Sequence, residues 1–307
     1  MASANFVVSS LPDYVEQHRD VLLKNFGLVG GETRKRISIQ TGIKKDAAIN
    51  FLDLTPALQS GVACEFTPSG AATLTQRVIN TAEIKVNMDI CPRNLVGKYA
   101  EYLVRINATE QDLPFEKYIV DGVIAEVNKK IEKLIWQGDT ENSSSSFPAE
   151  LKFIDGFLKI AEDDATEITV SGTTAYENLV TLYNGMSEEA LERGGCIFVA
   201  PAIYREFLQN LVSANLYHYS SANEAYPDEY YLPGTDVKVV KTPGLAGTTK
   251  AVATFAANLF YGCDMENDSE NIDLWYSKDD RVFKLEVLWN SGVQIAFPDH
   301  AVWADLA

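Results

Sequence analysis

The sequence predicts an α+β protein with two lobes, one long helix and an extended pair of β-strands that leaves the body of the protein. Three observations support this fold class. Residues 112–138 carry one continuous helical pattern, residues 37–90 carry strand signals without helical periodicity, and residues 166–250 alternate short apolar strands with amphipathic helices. A chain of 307 residues, 46% of them hydrophobic, has room for about two domains of ordinary size.

Residues 1–36 are predicted to form an N-terminal arm. Residues 12–26 have the spacing of a short amphipathic helix, and the glycine-containing stretch 27–36 favours a hinge. Basic residues lie at the end of this arm and just beyond it, namely Arg34, Lys35, Arg36, Lys44 and Lys45. They are either solvated loop charge or a basic arm that meets an acidic face of a neighbouring subunit.

Residues 37–90 are predicted to form an extended β loop. A short strand is indicated at 38–40, and a longer one at 75–90, where apolar and polar residues alternate. Between them the sequence TPSGAAT, which begins with Thr67 and Pro68, has the composition of a loop tip. A two-stranded ribbon is marginally stable by itself in water, so this one is expected to lie on another surface.

The helix predicted for residues 112–138 has signals at both ends, because Asp112 is a suitable N-cap and Gly138 suits the position after the last turn. A shorter helix is predicted before it, at 94–106. The long helix carries one apolar stripe at three- and four-residue steps, formed by Val120, Val123, Ile124, Val127, Ile131, Leu134 and Ile135.

A second, smaller stripe lies on the polar side of the same helix. It consists of Tyr118, Ala125 and Trp136. We therefore expect the helix to be covered from two directions, with Tyr118 and Trp136 contacting a neighbouring subunit or the arm.

The second lobe is predicted for residues 166–250, and antiparallel β structure for the rest of the chain. Strands are expected at 168–170, 196–200 and 237–241, with helices at 174–186 and from Pro201 onwards. In residues 251–307, a hairpin is expected from 272–277 and 281–289, followed by a turn at 290–292 and a closing strand at 302–303.

The net charge of −17 falls entirely on the second half of the chain. Residues 1–138 carry 16 basic and 16 acidic side chains, whereas residues 139–307 carry 10 basic and 27 acidic ones. Such an acidic surface repels nucleic-acid phosphates, which excludes sequence-independent DNA binding as the main task. A surface that faces DNA without binding it tightly tolerates this balance.

Catalytic and metal-binding motifs are missing from the sequence. It contains no phosphate-binding glycine pattern, no HExxH and no GxSxG. A Cys196–His300 dyad is conceivable, but nothing in the local sequence brings the two residues within hydrogen-bond reach. A cation site at Asp264, Glu266 and Asp268 is also conceivable, but it lacks the glycine and the terminal glutamate of an EF-hand loop. We expect no catalytic residues, no metal and no cofactor, and we expect the four widely separated cysteines to be free thiols.

The start of the chain lacks the basic and apolar regions of a secretory signal, and no apolar run reaches the roughly 18 residues of a membrane span. The sequence therefore predicts a protein made in a cytoplasm, without a membrane partner.

The order of these parts, together with two passages of sequence, resembles the major capsid proteins of tailed bacteriophages. The passages are KKIEKLIWQGD with the following FIDGF, and YGCDMENDSENIDLWYSKDDRVFKLEVLWNSGVQIAFPDHAVW. The resemblance covers essentially the whole chain and implies the Hong Kong 97-like fold, which encapsulin shells and the herpesvirus capsid floor share.

The resemblance implies a domain layout in which each predicted part has a role in a shell. These parts are the N-terminal arm 1–36, the extended β loop 37–90 over the adjacent subunit, the peripheral domain 91–165 with its spine helix 112–138, the axial domain 166–250 at the five- and six-fold axes, and the C-terminal β return 251–307 of the peripheral domain. Candidates for inter-subunit contact are Arg34, Lys35, Arg36, Lys44, Lys45, Thr67, Pro68, Tyr118 and Trp136.

The function implied is that of a late structural protein of the virion, assembled in the host cytoplasm. Hexamers and pentamers would form an icosahedral shell around double-stranded DNA, without sequence-specific binding. The implied partners are a portal protein, a scaffolding protein and a decoration protein. Because the chain starts almost at the arm, we expect the scaffolding protein to be a separate chain.

Two alternatives stay open at this point. An encapsulin-type nanocompartment has the same fold but encloses protein cargo. An unrelated acidic α/β enzyme, with its site in the lobe around Cys196 and Pro201, would have the same composition.

Overall fold

The computed structural model describes residues 32–43, 45–58, 70–91, 115–216, 228–264, 272–280 and 282–306. The helices predicted at 12–26 and 94–106, the N-cap Asp112, and the candidate contact residues Lys44, Thr67 and Pro68 lie outside these residues.

The described residues contain five α-helices and thirteen strands. The helices are α1 Phe115–Gln137, α2 Phe157–Asp164, α3 Ala175–Asn184, α4 Glu188–Glu192 and α5 Pro201–Ser213. The strands are β1 Ser38–Gln40, β2 Asp46–Pro56, β3 Gly70–Asn80, β4 Ala82–Ile90, β5 Thr166–Glu167, β6 Gly195–Val199, β7 Glu229–Tyr231, β8 Lys238–Lys241, β9 Lys250–Phe255, β10 Leu259–Cys263, β11 Ile272–Ser277, β12 Val282–Ile295 and β13 Val302–Asp305.

The first lobe is built on a five-stranded sheet around the 14-residue strand β12. This strand pairs antiparallel with β4, β10 and β11, and β1 joins the sheet by pairing parallel with β10. Buried and partly exposed residues alternate along the first half of β12, as expected for a sheet with one face in the core.

Strand β12 runs straight through residues 290–292, so the turn predicted there is wrong. Gly292 does not reverse the chain. Because it has no side chain, the backbone of β3 can come close to β12 at this position. A β-carbon at Gly292 would lie 2.2 Å from the carbonyl oxygen of Asn80.

The single strand predicted at 75–90 is also divided in the structure. Thr81 separates β3, which pairs with β2, from β4, which pairs with β12. Because β4 alternates apolar and polar residues, it has an apolar face to bury in the first lobe, and only β2 and β3 form the extended ribbon.

The second lobe contains a six-stranded sheet in the order β5-β13-β9-β6-β8-β7. The predicted apolar strand at 196–200 is observed as β6, which lies inside the sheet and is buried along nearly all its length. Strands β9 and β13 belong to this sheet, although the sequence placed residues 251–307 in the first lobe. The chain therefore passes between the two lobes several times.

The long helix α1 is confirmed within the described residues. Its apolar stripe is buried from Val123 to Ile135, and the side chain of Val120 lies outside the described set. The helix packs against α2 and against the turn Pro243–Leu245 of the second lobe. One hydrophobic core runs from this stripe into both lobes.

Candidate inter-subunit surface

The arm and the long helix meet in a buried polar contact. The indole Nε1 of Trp136 donates a hydrogen bond of 2.7 Å to Oγ1 of Thr33. Nη2 of Arg34 donates to Oδ1 of Asn128 at 2.8 Å, and its Nε lies 3.8 Å from Oε1 of Glu132. These side chains have almost no exposed surface.

The helix residues in this contact follow one line along α1. Asn128, Glu132 and Trp136 are four residues apart, so they lie on the same side of the helix. The expectation that α1 is covered from two directions is thus met within the chain, by a different set of residues. Of the predicted stripe of Tyr118, Ala125 and Trp136, the place of Trp136 is corrected, because this residue lies in the core. Ala125 is exposed on the single chain.

Trp136 and Arg34 were candidates for inter-subunit contact, and their burial corrects both. The Trp136 ring packs with its centroid 5.2 Å from those of Phe157 and Phe198, and no part of the residue is exposed. The Arg34 guanidinium lies 5.8 Å from the ring centroid of Tyr261. Neither side chain has surface left for a neighbouring subunit.

The other basic candidates have different positions. Arg36 pairs with Glu229 of the second lobe, and both side chains are about nine-tenths buried. Lys35 is exposed and pairs with Glu32, and Lys45 is exposed at the start of the ribbon. Tyr118 lies in α1, but its side chain is outside the described set.

Burial changes the electrostatics of the arm contact. The pKa of Glu132 is raised from 4.5 because burial disfavours the carboxylate, and this outweighs the opposing effects of Thr33 and Arg34. The amide N–H of Thr33 points at Oε2 of Glu132 over 3.4 Å. Glu132 and Asn128 are not among the candidates from the sequence, although their four-residue spacing from Trp136 was a usable signal.

The ribbon of β2 and β3 is anchored to the body at its base. Ile49 and Ile79 are buried there in a small cluster with Ile43. The ring of Phe51 lies 4.4 Å from the ring of Phe297, between centroids. The prediction that the ribbon needs a surface to lie on is therefore met by the chain itself for this part.

Polar contacts fix the same base. Arg77 pairs with Asp164 of α2 and donates to Oε1 of Gln294 at 3.2 Å. Nε2 of Gln294 donates in turn to the carbonyl oxygen of Val78 at 2.8 Å. The ribbon thus leaves the body in a direction that α2 and β12 define.

The face of the ribbon that points away from this anchor exposes apolar side chains. Leu74 is 70% exposed and Val78 is 41% exposed, and the register places Ala48 opposite Val78. Leu58, just beyond the end of β2, is fully exposed. Such a strip on a thin ribbon is the kind of surface that a partner covers.

The residues that sequence analysis weighed for chemistry do not form a dyad. Nδ1 of His300 is 3.1 Å from Oγ of Ser187, and its Nε2 is 2.7 Å from Oε2 of Glu189. Burial raises the pKa of the Cys196 thiol. His300 therefore joins the C-terminal segment to α4, and burial disfavours the thiolate of Cys196.

Two further classes of site can be assessed within the described part of the chain. No cluster of three histidine, cysteine, aspartate or glutamate side chains there has the arrangement to hold a metal ion. Among the same residues, no helix combines the length and the apolar character that crossing a membrane requires.

Comparison with known proteins gives a fold but no sequence relative. No protein-family model matches the chain, and no curated protein matches it. Solved structures match over almost the whole length. A chain of the satellite phage P4 procapsid that includes the size determination (Sid) protein has a TM-score of 0.61 at 10% identity, covering 99% of this chain and 92% of that one.

Two other solved structures give similar results. A chain from Gordonia phage Cozz has a TM-score of 0.55 at 12% identity and covers 90% of this chain and 86% of that one. A chain of the virus-like particle from Pyrococcus furiosus has a TM-score of 0.50 at 10% identity, with coverage of 95% and 98%. The chain has the fold of tailed-phage capsid proteins.

Proposed function

We propose that this chain, whose fold is that of tailed-phage capsid proteins, is a major capsid protein that self-assembles into an icosahedral shell around a phage genome. The observation that carries the proposal is the likeness to a procapsid chain over 99% of the present chain, with the long helix, the ribbon and both lobes included.

The surface of the ribbon supports the same function. Its base is buried against the body, but Leu74, Val78 and Ala48 face outwards. Burying such side chains contributes about 25 cal/mol for each Å² of apolar area removed from water. A second copy of the chain is the partner that this surface would meet in a shell of identical subunits.

The proposed subunit arrangement follows the two lobes. The second lobe, built on the six-stranded sheet, would meet its copies around the five- and six-fold axes in pentamers and hexamers. The first lobe and the ribbon would connect neighbouring subunits within and between these rings. A scaffolding protein, a portal protein and a decoration protein are the further partners of the proposal, and host cytoplasm is its place of assembly.

The charge of the chain fits enclosure of DNA without specific binding. A net charge of −17 repels phosphate groups. Packaged double-stranded DNA would therefore not bind closely to the inner surface of the shell. DNA enclosed in this way is held by the closed wall and not by base or phosphate contacts.

Electron microscopy of the purified chain tests the proposal. We expect closed isometric shells, either from the chain alone or after co-expression with a scaffolding protein. A chain that stays monomeric or dimeric under both conditions, at concentrations where capsid proteins assemble, would refute it. Nuclease-resistant DNA in particles from infected cells distinguishes a genome shell from a protein-filled nanocompartment.

A further inference from the structure

The short segment Thr33–Arg36, which we call the strap, contacts both lobes of the molecule. It is a tight turn in which the amide of Arg36 donates to the carbonyl oxygen of Thr33 at 3.0 Å. Directly after it, Ile37 is buried in the main core and β1 joins the first sheet. The strap is therefore fixed at its C-terminal end by the first lobe.

Arg34 attaches the strap to the first lobe. Its guanidinium contacts Asn128 and Glu132 of α1 and lies over the ring of Tyr261 in β10. Because this charge is removed from solvent, loss of either partner leaves a buried charge without compensation. Removing one partner should therefore be more disruptive here than in an ion pair at the surface.

Arg36 attaches the strap to the second lobe. Its partner Glu229 is the first residue of β7, the edge strand of the six-stranded sheet. Oε2 of Glu229 also lies 3.3 Å from Nζ of Lys238 in the neighbouring strand β8. Two positions along the chain thus separate a contact with one lobe from a contact with the other.

The two lobes also meet beside the strap, on the same part of α1. The turn Pro243–Leu245 of the second lobe packs on the helix so closely that a β-carbon at Gly244 would lie 2.4 Å from the carbonyl oxygen of Glu132. Nε2 of Gln137 donates to the carbonyl oxygen of Gly244 at 2.5 Å. The turn and the strap therefore both contact the last two turns of α1, at Glu132 and Trp136.

We propose that the strap locks the angle between the two lobes, with Arg34 fixing it to the long helix and Arg36 fixing the second lobe to it. The effect of this lock on shell diameter rests on the proposed shell function. In a closed shell of identical subunits, the angle between the lobes sets the angle between neighbours and hence the curvature and the diameter. The lock makes the diameter uniform.

The test compares Arg36→Ala with Lys35→Ala. Lys35 is the adjacent basic residue, exposed and paired with Glu32. Hydrogen exchange of the full-length chain reports on the lock in solution, and electron microscopy of assembled particles reports on its consequence. We expect R36A to speed amide exchange in residues 229–231 and 238–241 by about tenfold and to broaden the distribution of particle diameters. We expect K35A to change neither the exchange rates nor the diameters.

A double variant separates a specific pair from general loosening. Glu229→Gln removes the contacts of Glu229 with both Arg36 and Lys238, so it should speed exchange at least as much as R36A. The double variant R36A/E229Q should exchange no faster than E229Q alone, because E229Q has already removed the Arg36 contact. Unchanged exchange in R36A, additive effects in the double variant, or an unchanged diameter distribution would each overturn the lock. If the wild-type chain forms no particles, the shell function fails, and the exchange data alone decide on the lock.

Discussion

The indole nitrogen of Trp136 donates a 2.7 Å hydrogen bond to the hydroxyl of Thr33, across 103 positions of sequence. This bond joins the arm to the end of the long helix inside the core of the molecule. It places Trp136 among the residues that fold the chain. Of the two contacts expected from the sequence, a neighbouring subunit or the arm, the structure shows the arm.

Replacing Trp136 with Ala is expected to lower the free energy of unfolding by about 3–5 kcal/mol, because it opens a cavity beside Phe157 and Phe198. Thr33→Val should cost about 1–3 kcal/mol, since the buried indole N–H loses its acceptor. Urea unfolding of the unassembled chain measures both. Thr73→Val, at an exposed position of the ribbon, is the control. Wild-type stability in W136A together with lost assembly would restore the inter-subunit role.

Glu132 is expected to make stability depend on pH in a defined direction. Because its folded pKa is raised above 4.5, the folded state takes up the proton first as the pH falls. The stability that Glu132 contributes is therefore fully present below about pH 4.5 and is lost as the pH rises through the raised pKa. The stability of the wild type relative to Glu132→Gln should decrease from pH 4.5 towards neutrality.

The measurement for this prediction is urea unfolding of both proteins over a series of pH values. Glu126→Gln, which removes an exposed carboxylate from the same helix, is the matched control. Parallel curves for the wild type and E132Q would contradict the prediction, because they would mean that this carboxyl group titrates alike in the folded and unfolded states.

Two glycine-to-alanine variants should have opposite effects. Gly292→Ala places a methyl group against the backbone of Asn80 and should cost about 1–3 kcal/mol, since no flexible side chain can move aside. Gly122→Ala lies on the exposed side of α1 with no atom within 4 Å of the new β-carbon, and should stabilise by about 0.5–1 kcal/mol. Thermal or urea unfolding measures both, and a neutral G292A would show that β12 and the ribbon base are not in close contact.

The exposed face of the ribbon should matter for assembly and not for folding. Leu74→Asp is expected to leave the urea midpoint of the single chain unchanged, because 70% of the residue is already exposed, and to abolish or strongly reduce particle formation. Thr75→Asp adds the same charge on the other face of the same strand and serves as the matched control. Sedimentation velocity and electron microscopy measure the outcome, and normal shells from L74D would exclude this face as a contact.

The sequence was informative wherever the type and the buried side of an element depend only on residues close to it in the sequence. The spacing of Val127, Ile131 and Leu134 determines which side of the long helix is apolar, and Pro201 marks the start of α5. The alternation in β12 likewise indicates a strand with one buried face. These signals depend on backbone geometry over a few residues, which is local information.

The sequence predicted the candidate contact residues less well. The role of a charged or aromatic residue depends on which residues lie beside it in the folded chain. Arg34 and Lys35 are adjacent basic residues with similar local sequence, yet one is buried on α1 and the other is exposed. Glu132 has the position of a solvated helix residue until the arm covers it. The four-residue spacing along the helix indicates that Asn128, Glu132 and Trp136 share one side, but it does not indicate that Arg34 of the arm covers that side.

By itself, the sequence determined the α+β class, the long helix, the two-stranded excursion and the resemblance to tailed-phage capsid proteins. Only the tertiary structure decided that Trp136 belongs to the core, that Gly292 serves a close approach inside a strand, and that β9 and β13 complete the second sheet. The physical reason is that periodicity records which side of an element is buried, whereas the identity of its partner depends on contacts between residues far apart in the chain, and these form only when the chain folds.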